Sequence, residues 1–413
     1  MTAILPGRRA VLTGIGVISP NGVGADDFWK ATREGRNVLG PVTREGCERL
    51  PLRVAGQVTG FEAEEAVEGR YLVQTDRFTH YAMAAADLAL ADARFEREAG
   101  SPFAIGVVTA AGSGGGEFGQ RELQQLWGQG PQFVGPYQSI AWFYAASTGQ
   151  ISIRGGFKGP CGVVASDEAG GLDALAHAAR TIRRGTDTVV VGAAEAPLAP
   201  YSVVCQLGYP ELSLAEDPES AYLPFSPAAS GFVPAEGGAM FVVEDEATAR
   251  GRGARIRAEL AGHAATFTGA SAWAASREGL AHAIRGALEE AHCAPDEVDV
   301  VFADALGVPE ADLAEALALA DALGEHAAYV PVTAPKSGTG RAYCGAPLID
   351  TAAAVLAMEQ SLIPPTPGVT ALRDGLDIDL VTGFARAAEL RTALVLSRGL
   401  MGSNSALVLR RPY

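Results

Sequence analysis

The 413-residue sequence has few of the side chains that bind metals or build disulfide frameworks. Its five cysteines are scattered and form no Cys-x-x-Cys motif, and its six histidines lack the spacing of metal ligands. Neither a disulfide-rich scaffold nor a zinc site is indicated. No apolar run approaches the roughly 20 residues of a membrane-spanning helix, and the first residues show no apolar signal-peptide core. We expect a cytoplasmic protein that uses no metal and no other cofactor.

Positive charge is also scarce. The chain has 32 lysine and arginine residues against 48 aspartate and glutamate residues, for a formal net charge of −16. The lysines are only Lys30, Lys158 and Lys336. Such an acidic chain is not expected to bind nucleic acid or an anionic membrane. A small acidic partner protein would have to dock on a local basic patch.

The residues that are abundant indicate a large layered protein. Hydrophobic residues make up 48% of the chain, which is enough for a sizeable core, and the length suits two fused halves. Apolar strand-like runs alternate with helical patterns, and this alternation predicts an α/β architecture with covered sheets. A weak symmetry of halves breaks near 244–253. We predict an N-terminal half at residues 1–250 and a C-terminal half at residues 251–413.

The most informative segment is Gly159–Asp173. It predicts an apolar strand end, a tight turn and the start of a helix that runs to about Arg184. In α/β enzymes this geometry often presents a nucleophile, because the turn exposes the side chain and the helix N-terminus stabilises an anion. The residue at that point is Glu168. Since a glutamate is a poor acyl acceptor, the segment combines a catalytic scaffold with the loss of the expected chemistry.

Four motifs, in this order along the chain, resemble those of the β-ketoacyl synthases. They comprise an opening strand, a two-part signature in mid-chain, the loop before a catalytic histidine and a C-terminal glycine motif. The resemblance covers nearly the whole length and implies an α/β protein with a duplicated thiolase fold, layered α-β-α-β-α. The motifs are Val11–Val17, Pro224–Ser226 with Gly231–Gly238, Lys336–Gly340, and Ser397–Ser405.

An active condensing enzyme of this family uses a cysteine that carries the acyl chain and two histidines that assist decarboxylation and stabilise the oxyanion. At the matching positions this chain has Glu168 for the cysteine, Asp304 for the first histidine and Arg341 for the second, and it retains only the lysine, Lys336. The resemblance therefore implies a degenerate active site with no catalytic residue for condensation. We expect these four charges to form a buried ionic cluster, and the chain not to be catalytic by itself.

Further motifs resemble a narrower family, the chain-length factors, which are the beta ketosynthase subunits of bacterial type II aromatic polyketide synthases. They are Gly159–Val164, Ala169–Asp173, Glu117–Leu123 and Tyr137–Ala145. The resemblance implies a non-condensing subunit that heterodimerises with an active ketosynthase alpha subunit and shapes the tunnel for the growing polyketide chain. An acyl carrier protein would deliver the malonyl units. The interface and tunnel insertions would lie in the N-terminal half.

Glu168 departs from that family, in which glutamine is usual at this position, and three interpretations are open. One is a relic acid that the helix dipole stabilises by roughly 0.3–1 kcal/mol. Another is an electrostatic plug that pairs with Lys336 or Arg341. The last is a role in decarboxylating malonyl units. Because a buried acid beside two cations is normally ionised, and an ionised carboxylate repels a malonyl carboxylate, charge argues against the last interpretation.

Gly116, Gly119 and Leu123 share one face of a predicted helix because they stand at i, i+3 and i+7. In the family this face lines the polyketide tunnel, and Tyr201 stands where an aromatic residue often closes its end. Two glycines there predict a deep tunnel and a long polyketide. The alternatives are a helix start that needs glycine or close helix packing, and an ordinary core tyrosine.

Two other functions remain open from the sequence. The chain could itself be a malonyl-carrier-protein decarboxylase that primes synthesis, or a purely structural partner subunit. The apolar run Ile140–Ala145, within a predicted buried helix over residues 140–154, is typical of a protein core and also of the dimer interface of this fold.

Overall fold

The computed structural model describes residues 7–97, 100–269 and 276–412. In these ranges none of the helices has the length and apolar character needed to span a bilayer. The strands are β1 (Ala10–Ser19), β2 (Gly22–Val23), β3 (Gly40–Pro41), β4 (Val54–Ala55), β5 (Ile105–Ala110), β6 (Cys161–Val164), β7 (Thr188–Glu195), β8 (Gly237–Asp245), β9 (Ala258–Phe267), β10 (Val300–Phe302), β11 (Pro331–Thr333), β12 (Leu362–Ile363), β13 (Asp379–Leu380), β14 (Arg386–Ala387), β15 (Thr392–Arg398) and β16 (Ser403–Arg410). The α-helices are α1 (Ala25–Arg33), α2 (Ala63–Ala66), α3 (Gly69–Leu72), α4 (Arg77–Asp92), α5 (Gly116–Gln129), α6 (Gln138–Ala141), α7 (Ala146–Gly155), α8 (Gly170–Arg183), α9 (Pro200–Gln206), α10 (Glu246–Gly251), α11 (Ser276–Glu290), α12 (Pro309–Leu323) and α13 (Ala346–Gln360).

The main sheet is built twice from the same topology. In the first half the order is β6-β5-β7-β8-β1, with parallel pairs at β6-β5-β7 and antiparallel pairs at β7-β8-β1. In the second half the order β11-β10-β15-β16-β9 repeats these directions strand for strand. A short antiparallel pairing of β1 with β9 joins the halves. This repetition is the physical basis of the alternation seen in the sequence, whereas the division at residue 250 stays a prediction.

Helices cover the half-sheets in five layers. Helix α4 packs on β1 and β8 of the first half, and α11 packs on β9 and β16 of the second. Helices α8 and α13 lie between the two half-sheets, where their residues join one core cluster with strands of both halves. The predicted order α-β-α-β-α is confirmed.

Close packing in these layers depends on glycine at particular points of β1. A Cβ added at Gly16 would lie 1.9 Å from the Ala85 carbonyl oxygen of α4. The alanine-rich face of α4 can therefore rest directly on the strand backbone.

Asp76 caps helix α4 by accepting a hydrogen bond from the Phe78 N–H at 3.3 Å.

The segment that contains Glu168 has the predicted shape. Strand β6 leads through a turn into α8, which ends at Arg183, one residue before the predicted end. The predicted buried helix over residues 140–154 is wrong. The chain there forms α6 and α7 with a break between them, and Trp142 is 49% exposed. An apolar run alone does not distinguish a core segment from a surface that a partner covers.

Candidate functional site

The turn after β6 places two adjacent carboxyl groups against the C-terminal glycine motif. Asp167 has a positive φ of 58°, which is uncommon for a residue other than glycine and turns the chain sharply into α8. The Leu400 N–H donates to Oε2 of Glu168 at 3.0 Å, and the Met401 N–H donates to Oδ2 of Asp167 at 2.7 Å. The two carboxyl groups therefore accept hydrogen bonds from the backbone N–H groups that face the turn.

Glu168 is almost completely buried, and this burial bears on its protonation. Burial raises the pKa of Glu168 well above its ordinary value, the neighbouring Asp167 raises it further, and Arg341 opposes both. Desolvation and a second carboxyl therefore favour the protonated form of Glu168 and oppose the ionised form expected from the sequence. A protonated carboxyl is neutral and has one donor and one acceptor. Such a carboxyl resembles a glutamine side chain, the one that the family resemblance implies at this position, more closely than a carboxylate does.

Asp304 is the centre of a buried charge network. Its Oδ1 accepts from Nη1 of Arg341 at 3.0 Å, and its Oδ2 accepts from Nε of Arg398 at 3.1 Å. Nη2 of Arg398 also donates to Glu315 at 2.9 Å. Burial opposes ionisation of Asp304, but Arg341, Arg398 and Lys336 together lower its pKa. The carboxylate therefore stays charged and is held on several sides.

The plug interpretation pairs Glu168 with Lys336 or Arg341. Lys336, however, forms its ion pair with a different acid. Its Nζ lies 2.5 Å from Oδ2 of Asp350 and donates to the Asp304 carbonyl oxygen at 3.2 Å. All four predicted residues are buried, at 3% exposure or less. Lys336 and Arg341 both converge on Asp304, while Glu168 is linked to Arg341 through its electrostatic influence.

Sequence reasoning missed three residues of this network, namely Arg398, Glu315 and Asp350. Arg398 is completely buried and its Nη1 also donates to the Ala311 carbonyl oxygen at 3.0 Å. A signal was present for Asp350, which is the only charged residue in the apolar stretch Ala346–Met358 of α13, where an unpaired charge would be costly. Chemically, the network offers neither a thiol nor an imidazole.

The four predicted tunnel residues lie on and beside α5 and α9, which pack together. The Tyr201 N–H donates to Oε1 of Gln120 at 2.7 Å and ties the start of α9 to α5. A Cβ at Gly119 would meet nothing nearer than a Trp142 carbon at 3.7 Å, which is ordinary contact. Leu123 and Tyr201 are 41% and 54% exposed. The described residues of this chain therefore do not enclose a tunnel at this place by themselves.

Large apolar side chains continue this surface. Trp127, four residues after Leu123 on α5, is 83% exposed. The aromatic run Trp142, Phe143 and Tyr144 is also exposed, and β6 lies at the end of the main sheet. Contiguous exposed apolar surface next to an open sheet edge is typical of a protein–protein interface.

The fold and this altered centre define a condensing-enzyme type of protein. The β-ketoacyl synthase N-terminal domain model matches residues 8–249, and the C-terminal domain model matches residues 257–370. The chain belongs to the β-ketoacyl synthase family.

Particular relatives narrow this assignment. The chain is 74% identical to polyketide beta-ketoacyl synthase 2 of Streptomyces coelicolor, over 98% of this chain and 95% of that protein. It is 51% identical to the tetracenomycin polyketide synthase ketoacyl synthase beta subunit of Streptomyces glaucescens, over 97% of this chain and 98% of that protein. These relatives confirm the predicted resemblance to the beta ketosynthase subunits of type II polyketide synthases.

Solved structures agree. The ishigamide ketosynthase/chain length factor matches with a TM-score of 0.90 at 26% identity, over 98% of this chain and all of that one. A type II polyketide synthase acyl carrier protein in complex with its hexaketide-bound ketosynthase matches with a TM-score of 0.88 at 28% identity, again over 98% and 100% of the two chains. The predicted thiolase-like ketosynthase fold is confirmed.

Proposed function

We propose that this chain is a cytoplasmic, non-condensing chain-length factor. It heterodimerises with an active ketosynthase alpha subunit, which supplies the nucleophile, and an acyl carrier protein brings the malonyl units. One observation carries the proposal: buried charged or acidic side chains stand at all three positions where the family has its cysteine and histidines. Asp304 and Arg341 are bound to each other at 3.0 Å, and Glu168 is bound to Leu400.

The exposed face of α5 and α9 supports the heterodimer. A partner that packs on Leu123, Trp127 and Tyr201 would remove large apolar side chains from water, at about 25 cal/mol for each Å² buried. The open edge of β6 would find a strand to pair with on the same side. Burial of this kind is typical of obligate interfaces, which resemble a core cut in half.

The same face supports the role in chain length. Gly116, Gly119 and Leu123 lie in one row on α5, and Tyr201 stands at the start of the adjoining α9. Between this row and the ketosynthase, the growing polyketide would run until a side chain stops it. Since Gly119 contributes no side-chain volume and has no close neighbour, we propose a deep tunnel and a long product.

The test is a reconstituted heterodimer that carries Gly119→Phe. The new ring should shorten the products by one or more extender units, as read from product mass, while the complex still assembles. Gly128→Phe is the matched control, because nine residues along a helix place Gly128 on the opposite side of α5 and nothing lies within 4 Å of a Cβ there. Unchanged product length in an assembled Gly119→Phe complex would support the purely structural subunit instead.

A second function, decarboxylation of malonyl carrier protein, gains support from the raised pKa of Glu168. A neutral acid does not repel a malonyl carboxylate, so the electrostatic objection from the sequence is weakened. Carbon dioxide release by the isolated chain, abolished in Glu168→Ala, would support this function. Absence of release from a chain that still assembles and sets product length would exclude it.

A further inference from the structure

The start of α9 is held in place from both sides. Gln206 is buried, and its Nε2 donates to the carbonyl oxygens of Pro197 at 2.6 Å and Ser202 at 3.2 Å. On the other side, Gln120 of α5 accepts the Tyr201 N–H at 2.7 Å. Because both ends of this short helix are fixed, Ser202 has a defined position relative to α5.

Ser202 fills the space that a side chain at Gly116 would take. A Cβ added at Gly116 would lie 2.2 Å from Oγ of Ser202 and 3.6 Å from its Cβ. Both distances involve the same serine, and no other heavy atom outside the local backbone of α5 and the two adjacent residues lies within 4 Å of that point. The two glycines of the row are therefore not equivalent: the space beside Gly119 is open, and the space beside Gly116 is occupied by the serine hydroxyl.

We infer that Ser202 is a specificity-determining residue for product length, a role that rests on the proposed function. At the level of Gly116 the free cross-section is set by the pair Gly116 and Ser202 together. Serine is the smallest side chain, apart from alanine, that can stand opposite the glycine. A larger residue at position 202 narrows the passage from the α9 side, as a larger residue at position 119 narrows it from α5.

The reciprocal contact makes a sharp experiment possible. In the reconstituted heterodimer, Ser202→Leu should shift the product mass distribution to shorter chains by at least one extender unit. Gly116→Ala should shorten the product of the assembled complex, because its methyl group meets the serine hydroxyl. Adding Ser202→Gly to Gly116→Ala should restore wild-type length. The effects of Gly116→Ala and Ser202→Gly would then be non-additive, as expected for two residues in contact.

Gly128→Phe, made in parallel, is again the matched control. It adds a side chain larger than that of Ser202→Leu on the side of α5 opposite to Gly119, where nothing lies within 4 Å of a Cβ. This variant should keep the wild-type length. If Ser202→Leu fails to assemble, product length in the Gly116→Ala variant and in its combination with Ser202→Gly still decides the matter. Wild-type products from an assembled Gly116→Ala complex, or shorter products that Ser202→Gly does not restore, would overturn the inference.

Gly119→Phe, measured in parallel, separates the two proposals. Shortening by Gly119→Phe with wild-type products from an assembled Ser202→Leu complex would overturn the role of Ser202 and leave the proposed function standing. Wild-type products from both assembled variants would overturn the tunnel itself. Shortening by both variants, with rescue of Gly116→Ala by Ser202→Gly, is the result expected.

Discussion

The buried centre around Asp304 and the exposed face of α5 and α9 differ in how their side chains are satisfied. At the centre, Arg341 and Arg398 bind both oxygens of Asp304, and Arg398 reaches Glu315 as well. On the face, Trp127 and Tyr201 are left largely in contact with water. The first region is complete within the chain, whereas the second requires another protein.

Under the proposed function, this difference explains how a condensing-enzyme fold can serve without its chemistry. Groups that bind one another stand at the positions that the resemblance assigns to the reacting groups, and they are part of the core. What remains available is surface and volume, on the face that a partner would cover. A buried ion pair is not by itself a source of stability, but the loss of one partner is costly, and this consequence can be measured.

The largest effect is expected from breaking the network at the centre. Arg398→Met leaves Asp304 and Glu315 buried with one cation fewer, and removing one partner of a buried pair costs about 3–5 kcal/mol. Urea unfolding should show this loss. Arg391→Met is the control, because its contact with Glu389 is exposed at 76% and 68% and ion pairs in water contribute little to stability. Equal losses in both variants would contradict the distinction between the two regions.

A smaller effect is expected at the face. Trp127→Ala should leave the isolated chain as stable as before and weaken its complex with the ketosynthase by about 2 kcal/mol, since large aromatic anchors dominate interfaces. That is a rise of roughly 30-fold in the dissociation constant, measurable by calorimetry. Tyr329→Ala is the control: this tyrosine is 76% exposed but precedes β11, away from β6 in the sheet order. Similar weakening by both would place the interface elsewhere.

The smallest effect on stability is expected from a change at Glu168. It tests whether this side chain is protonated in the buried region, and so it sharpens the comparison with the exposed face. Because burial raises the pKa of Glu168, the folded chain holds this proton more tightly than the unfolded chain. The stability that the proton contributes is complete below the ordinary carboxyl pKa and is lost as the pH rises through the raised folded value. The Glu168→Gln variant has no proton to lose at this position, so it does not lose this stability as the pH rises.

The variant should therefore lie within about 1 kcal/mol of the wild type near pH 5 and become the more stable of the two as the pH rises. Unfolding curves at a series of pH values measure this difference. Glu216→Gln, at an exposed position, is the matched control for the loss of one acidic side chain. A difference that stays constant with pH would mean that Glu168 is ionised in the folded chain.

Much of this protein could be predicted from its sequence because the signals are local. The alternation of runs indicated layered α/β halves, and the turn at Glu168 leads into α8 as its glycines and apolar residues suggested. The matched motifs located Asp304 and Arg341, which are bonded to each other. Each of these inferences needs only the neighbours of a residue in the chain.

Only the tertiary structure decided which distant groups meet. Whether Glu168 keeps its proton depends on burial and on the balance between Asp167 and Arg341, and the choice of Asp350 by Lys336 depends on how α13 packs. The exposure of Trp142 and the contact of Ser202 with Gly116 likewise arise between elements far apart in sequence. The sequence by itself predicted that the condensing residues are replaced. The packing of helices determined where charge is satisfied and where space is left, because both depend on distances that no local pattern encodes.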